Sequence, residues 1–484
     1  MLETQTKLAL SPYIELYDKI IPEDNLLKRI NKLLNFSFVF DELKNKYSIN
    51  DGRKAIDPIM MFKYLLLKIL YPCSDRDLIN RARYDMSFKY FLGLMPEDDV
   101  IAPSSLTKFR TLRLKDSKLL DLLLGKTVSL AIEKGVIEMG TVIIDATHTH
   151  SKYNTYSSID SLRKRAIDLV KELSTKKIEV DIEALKSQKE LVNMMSECRE
   201  LVSKVRSEQP VLSKYPGINE KINFLEEGIE DAETRHEVSK DMDAKKGYKS
   251  ANSPFIGYKT HLGIAPNRII LGAVVTTGEA GDGPQLPAIV EQARSNGYAV
   301  NAVVGDGAYG SENNINLSKE KGSEFKLVAA VNGSVMRERK DGFYINKDAD
   351  TLVCPMGYLA ESKKEIKTKK SHYFTYKFDI TICDKCECKD SCAAYKNRKR
   401  NSSGLEIRIP KQVHLQQIEF SKTDEYKEYM KERYKVEAKN GELKNYMGYD
   451  KADSYGLKNM EMQSALTLFA CNIKRILTLM EDNK

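Results

Sequence analysis

Two aspartates stand where a carboxylate can do chemistry. Thr141-Val142-Ile143-Ile144 runs into Asp145, and Val300-Asn301-Ala302-Val303-Val304-Gly305 runs into Asp306. The first run is β-branched and apolar on both faces, the pattern of a buried strand, and the second reads as another strand. Ligands of open α/β sheets gather beyond the carboxyl ends of strands. Carboxylates brought together there can bridge two Mg²⁺ or Mn²⁺ ions, one activating a water or hydroxyl and the other stabilising the leaving oxygen of a phosphodiester. Gly305 and Gly307 flank Asp306, removing side chains where a nucleic-acid backbone would approach. A lone strand-end aspartate usually only caps a turn, so the expectation rests on the constellation.

Five cysteines fall between positions 354 and 392: Cys354, Cys383, Cys386, Cys388 and Cys392. Cys354-Pro355-Met356-Gly357-Tyr358 has the shape of a zinc-knuckle turn, and Cys383-x2-Cys386-x-Cys388-x3-Cys392 supplies close partners for it. A tetrahedral thiolate site for Zn²⁺ needs four of them. The surrounding segment is poor in apolar residues, so a metal would supply stability that a core cannot. Lys363, Lys364, Lys367, Lys369, Lys370, Arg398, Lys399 and Arg400 make the same region a phosphate-binding surface or a merely solvated basic face. His148 and His150 have no third and fourth ligand nearby and are left out of the metal set.

The elements that must position these groups are legible in outline. Residues 1–135 read as a helical domain. Asp57-Pro58 is an N-cap followed by proline at the first helical position, and Ser74 with Asp77 approaches a capping box. Pro103-Ser104-Ser105-Leu106-Thr107-Lys108-Phe109-Arg110 opens a further helix. Its hydroxyl-rich start and its cations fit either the reading head of a helix-turn-helix or the basic face of a bundle. Ser105, Thr107, Lys108 and Arg110 are its expected DNA contacts. Strand texture at 136–158 is interrupted by a helical insertion at 159–245, where Leu191, Met194, Met195, Cys198, Leu201, Val202 and Val205 repeat at helical spacing. It resumes at 246–349 with a hairpin turning at Pro266-Asn267. The cysteine module occupies 350–400, and residues 401–484 return to helix, with one charged helix expected over 424–444 and an amphipathic one over 460–480. The fold class is therefore α/β: a mixed sheet with a helical N-terminal domain, a helical insertion and a small cysteine-rich module.

Bulk composition narrows the partners. The 484 residues carry 77 basic and 69 acidic side chains, a net charge of +8 that suits a polyanion without establishing one. No stretch approaches the roughly 18 uncharged apolar residues of a membrane span, and no secretory leader is seen, so a cytoplasmic location is expected.

The chain resembles the DDE transposases of bacterial insertion sequences. The resemblance is carried by Ile143-Ile144-Asp145-Ala146-Thr147-His148, Val304-Gly305-Asp306-Gly307-Ala308-Tyr309 and Arg433-Tyr434-Lys435-Val436-Glu437, and by a leader containing Phe88-Lys89-Tyr90-Phe91-Leu92-Gly93-Leu94 and Ser105–Arg110. It implies a ribonuclease H-like catalytic domain whose third acid, Glu437, lies on a late helix and completes a triad with Asp145 and Asp306. A related signature, Tyr-x2-Arg-x3-Glu-x6-Lys, is met by Arg433, Glu437 and Lys444; the tyrosine is one place early, at Tyr429, with Met430 where it belongs. In that frame Arg433 and Lys444 hold DNA phosphates. The resemblance also selects Cys354, Cys383, Cys386 and Cys392 as the Zn²⁺ ligands, with Cys388 spare. It further implies binding and cleavage of double-stranded DNA at the element's ends, strand transfer to target DNA, and a dimer on the DNA. The competing readings are a transposase-derived regulator that binds DNA without cutting it, and a stand-alone ribonuclease H-like nuclease.

Overall fold

The structure is a computed structural model. It describes residues 11–482 apart from 49–54, 115–117, 153–154, 157, 179, 181–182, 189, 234–237, 240, 251–252, 332–341, 347–348, 350, 368–371, 397–402 and 408–411. In chain order the elements that matter below are α1 (Pro58–Leu70), α2 (Asp75–Tyr84), α3 (Pro103–Phe109), α4 (Leu119–Glu133), β1 (Gly140–His150), α5 (Ser158–Ser174), α6 (Leu191–Glu208), α7 (Pro216–Glu233), β2 (Lys245–Ser250), β3 (Ser253–Ile264), β4 (Ile270–Thr277), β5 (Val300–Val304) and β6 (Lys326–Val328). They continue with β7 (Ser362–Lys367), β8 (His372–Phe378), β9 (Ser403–Ile407), α8 (Gln412–Ser421), α9 (Asp424–Lys431), α10 (Tyr434–Met447) and α11 (Leu457–Asp482). The chain divides into two units, residues 1–300 with 433–484, and residues 301–432.

In the first unit the leader's helix starts follow their capping residues. The Asp57 carboxylate accepts from Ile59 N, and Ser74 Oγ accepts from Asp77 N while donating to the Asp77 carboxylate at 2.6 Å. Such caps replace hydrogen bonds that the first turn of a helix lacks. Phe62, Tyr64, Leu66 and Leu67 of α1 are wholly buried, and α11 packs against α1, α4 and β4. One side chain ties that helix to the sheet. Asn472 Oδ1 accepts from Ile270 N at 2.8 Å, and Asn472 Nδ2 donates to Ile270 O at 2.8 Å and to Thr127 Oγ1 at 2.9 Å. The amide thus satisfies backbone groups at the start of β4 that no strand pairs.

The strands of this unit are all antiparallel: β1, β2 and β4 each pair with β3, with Asp145 opposite Leu262 and His148 opposite Lys259. Gly257 is required by close approach, since a Cβ there would lie 2.0 Å from Thr149 O. The insertion forms its own core from α5, α6 and α7, in which Leu162, Leu169, Met194, Cys198, Ile222 and Leu225 interlock. Arg165 is buried in it and donates to Phe224 O at 2.5 Å. The periodic apolar positions read from the sequence are those that pack.

In the second unit β5 and β6 run parallel, with Val303 opposite Leu327. Gln417 of α8 donates to Leu327 O at 2.7 Å and to Ala329 O at 3.0 Å, satisfying carbonyls at the end of β6. The cysteine module is a three-stranded antiparallel sheet in the order β7-β8-β9. Its small core is Phe343, Leu352, Ala360, Tyr376, Phe378 and Ala394, with Cys354, Cys383 and Cys392 packed against it.

Three expectations need correction. β1 does not end at Asp145 but runs on to His150. The charged segment 424–444 is two helices, α9 and α10, separated at Glu432-Arg433. Cys73, which by its helical surroundings in the sequence reads as a core residue, is only partly buried and lies beyond the end of α1.

Candidate active site

The placement of α10 begins at the end of β1. His150 N donates to Asp450 O, Ala452 N donates to His150 O, and Thr149 Oγ1 donates to Tyr449 O, at 2.8, 2.8 and 3.0 Å. This clasp holds the segment that leaves α10 through Gly448, whose φ of 64° is left-handed. The helix then lies against β1. Asn440 Nδ2 donates to Asp145 Oδ2 at 3.0 Å, and Lys444 Nζ lies 3.3 and 3.4 Å from the ring nitrogens of His148. Glu437, Asn440 and Lys444 are spaced three and four apart, so they share one helix face. Glu437 is 57% exposed and accepts from Arg433 Nη1 at 2.8 Å.

Charge is arranged unevenly along this face. Burial, reinforced by Lys444, His150, Lys249 and Lys259, pushes the His148 imidazolium down to about 4, so the ring is neutral at pH 7. Burial and then Lys249 lower the Lys444 ammonium, while Asp450 and Asp145 pull it back up. Lys259 and His261, on β3, serve the fold. Lys259 donates to Ala280 O and pairs with Asp282 at 3.0 Å, and the buried His261 ring is 2.9 Å from Thr276 Oγ1. Glu442, a rival for the third acid, pairs with the buried Lys439 at 2.8 Å and accepts from Cys471 Sγ, so it is committed to the packing of α10 on α11.

In the second unit, Asp306 lies two residues past β5. Its carboxylate accepts from Ala308 N at 2.9 Å and its carbonyl from Tyr309 N at 3.2 Å, which makes the turn tight. Glycine has different causes along this turn. A Cβ on Gly310 would sit 2.0 Å from Ala330 O, whereas one on Gly307 would meet only an ordinary contact at 3.7 Å. The fold requires Gly310 but not Gly307.

The cysteine module brings its five thiols to one concavity. Cys354, Cys383, Cys386, Cys388 and Cys392 all line a cavity of about 490 Å³ beside Met356, Phe378 and Ile382. Tight turns present them. Cys354 O accepts from Gly357 N, Cys354 N donates to Tyr358 O, and Cys383 O accepts from Cys386 N. Among the described residues, no three histidine, cysteine or acidic side chains are close enough to share one ion. Lys369, Lys370, Arg398, Lys399 and Arg400 lie outside the described residues, as does the side chain of Lys367.

In the leader, Thr107 and Lys108 are exposed and Ser105 is partly so. Arg110 is different: its guanidinium grips the Asp75 carboxylate of α2, and Lys68 shares that carboxylate at 3.0 Å. Asn440 belongs to none of the motifs that mark the site in the sequence. Its spacing from Glu437 on a helix was the available signal.

The elements described so far define a mixed α/β protein with a helical leader and acidic groups on a strand, on a turn after a strand and on a late helix. Residues 15–112 match the family described as a transposase domain (DUF772), and residues 231–473 match the family described as a transposase DDE domain. The second match spans half of the chain, and the protein belongs to the DDE transposases of insertion sequences, with the ribonuclease H-like fold of that family. No curated protein and no solved structure matches the chain. Asp306 and Glu437 fall inside the DDE match, while Asp145 and almost all of the insertion lie between the two matched stretches. No helix among the described residues is long and apolar enough to cross a membrane.

Proposed function

We propose that this transposase binds the terminal repeats of its own element, nicks them and joins the freed 3′-hydroxyl to target DNA, with Asp145, Asp306 and Glu437 holding Mg²⁺ or Mn²⁺. The observation that carries the reading is the Asn440–Asp145 hydrogen bond, which lays the helix of Glu437 on the strand of Asp145. The donor set fits hard divalent cations, which favour a few carboxylates together with water. Asn440 Oδ1 also fits, being buried and without a hydrogen-bond partner among the described residues, and so free to accept from a water beside the site. Bound ions would activate the attacking water or hydroxyl and stabilise the leaving oxygen.

The chain's own groups have distinct tasks. Asn440 holds Asp145 Oδ2 and thereby fixes which oxygen faces outward. Arg433 pairs with the Glu437 carboxylate, and its guanidinium would be free for a DNA phosphate when a cation is held by that carboxylate. Lys444, one turn beyond Asn440 and beside the His148 ring, is placed for a second phosphate. Gly307 leaves room for the DNA backbone at Asp306. In the leader Ser105, Thr107 and Lys108 contact DNA, and Arg110 serves chiefly to hold α3 on α2. Cys354, Cys383, Cys386 and Cys392 would hold a structural Zn²⁺, a role supported by the cavity they share, with the ion drawing together thiols that do not meet without it. Two copies act together on DNA, one at each end of the element.

The test is cleavage of DNA carrying the gene's own flanks in the presence of Mg²⁺, with cut ends mapped. Cuts at the element boundaries, lost in Asp145→Ala, Asp306→Ala and Glu437→Ala while DNA binding persists, support the reading. Boundary-specific binding without cutting would make the protein a DNA-binding regulator instead.

A further inference from the structure

A second face of α10 borders a basic groove that none of the groups above uses. The groove encloses about 510 Å³ between α10, the last turns of α11 and the turn that joins β3 to β4. Arg268, Lys474 and Arg475 line one side, and Ala438, Gly441 and Asn445 the other. Among the described residues none of these three cations has an acidic partner within ion-pair distance. Glu442 also lines the groove; it pairs with Lys439, and Arg268 adds to the attraction that lowers its carboxyl.

One feature has no explanation in the fold itself. Gly441 sits inside α10, where glycine is among the least favourable residues, yet a Cβ there would meet nothing within 4 Å. Arg268 adopts the left-handed φ of 68° that the last residue of a three-residue hairpin loop takes, its N–H donating to Ala265 O at 2.8 Å. Its turn is fastened by Arg475, whose Nε donates to Asn267 O at 2.8 Å. The turn therefore holds two guanidinium groups near one another; burial and then the neighbouring Arg268 lower the Arg475 guanidinium from its ordinary range. A polyanion placed between them relieves that crowding, and an absent side chain at 441 admits its backbone. Tyr446, exposed at the rim, offers a ring to a sugar or an unpaired base.

We infer that this groove seats the phosphodiester backbone of a DNA strand alongside the catalytic helix, with Arg268, Lys474 and Arg475 on the phosphates and Gly441 as the point of closest approach. The identity of the polyanion rests on the DNA-cutting function proposed above. The experiment is a KCl titration of full-length protein binding to a random-sequence duplex. Arg268→Ala and Lys474→Ala should each reduce the magnitude of the log affinity against log salt slope by about 0.9, the loss of one phosphate contact. Gly441→Gln removes no charge and improves helix propensity, so Tm should hold or rise while affinity falls about tenfold or more, equivalent to about 1.4 kcal/mol. Wild-type slopes in both alanine variants, with wild-type affinity in Gly441→Gln, would overturn the groove and leave the enzymatic reading standing. Failure of the wild-type protein to bind any duplex or to cut its own flanks would overturn both.

Discussion

Replacing Asn440 with alanine removes one donor from Asp145 Oδ2 and leaves every proposed metal ligand in place. A hydrogen bond to a charged acceptor contributes about 1.5–3 kcal/mol. Each 1.4 kcal/mol is about tenfold in affinity, so the full effect on an ion held by Asp145 would be roughly 10- to 100-fold, the usual range for a residue that orients a metal ligand. Asn440 is only partly buried, which places the expected loss near tenfold. The assay is Mn²⁺ titration of the DNA-free protein by calorimetry, with Tm measured alongside. Weaker Mn²⁺ binding with a small change in Tm is expected. Tighter binding would refute the reasoning, because it would mean that Asn440 competes with the ion for Oδ2; unchanged binding would make the hydrogen bond incidental.

Other perturbations separate structural from functional roles. Arg110→Ala should destabilise the leader by about 1–3 kcal/mol, since it leaves a partly buried Asp75 with Lys68 as its one remaining cation, whereas the exposed Lys108→Ala should leave Tm unchanged and weaken DNA binding. Equal Tm values for the two variants would show that the Asp75 pair contributes nothing. Burial alone would raise the Asp75 carboxyl, but Arg110 and Lys68 more than offset it and hold it below the usual aspartate range. Its contribution is therefore present above the unfolded pKa and lost as pH falls through the depressed folded value, so the Arg110→Ala protein should show a shallower acid limb in a Tm-against-pH profile. His148 is lowered from 6.5 to about 4, so it favours the native state above pH 6.5, and that contribution is lost as pH drops from 6.5 to 4. His148→Gln should flatten Tm over that window, and an unchanged slope would show that the ring is not held neutral. Protein made with zinc supplied should carry about one Zn²⁺ per chain through an EDTA wash that stops cleavage, and the Cys383→Ser, Cys392→Ser double variant should carry none. Absence of zinc from the wild-type protein would remove the metal from this module.

What the sequence displayed was local. Asp57-Pro58 and Ser74-Asp77 cap their helices through neighbours two or three residues away, and the insertion's apolar positions repeat at the helical period on which they pack. What stayed hidden depended on distant partners. Ala146–His150 contains two threonines and two histidines and does not look like a continuing strand; Thr149 is buried there because the 449–452 segment clasps it. The break at Glu432-Arg433 contains no glycine or proline to mark it. Arg110 looked available for DNA because its partner Asp75 lies 35 residues earlier. Lys-rich β7 gives no apolar alternation, and its pairing with the aromatic face of β8 was not visible from composition. Of the three acids, Asp145 and Asp306 showed themselves as carboxylates that follow apolar runs. Glu437 could be separated from Glu432 and Glu442 only by resemblance, and the Lys439 pairing of Glu442 now gives a physical reason to set that rival aside.

The most direct measurement is a cleavage assay on DNA bearing the element's own ends, comparing Glu437→Gln with Glu432→Gln and Glu442→Gln at matched DNA occupancy. Glu437→Gln should bind the ends and yield no cut in Mg²⁺, while Glu432→Gln and Glu442→Gln retain cleavage at the same positions. Cleavage that survives Glu437→Gln, or disappears only in Glu432→Gln, would contradict the assignment of the third acid and with it the role given to α10.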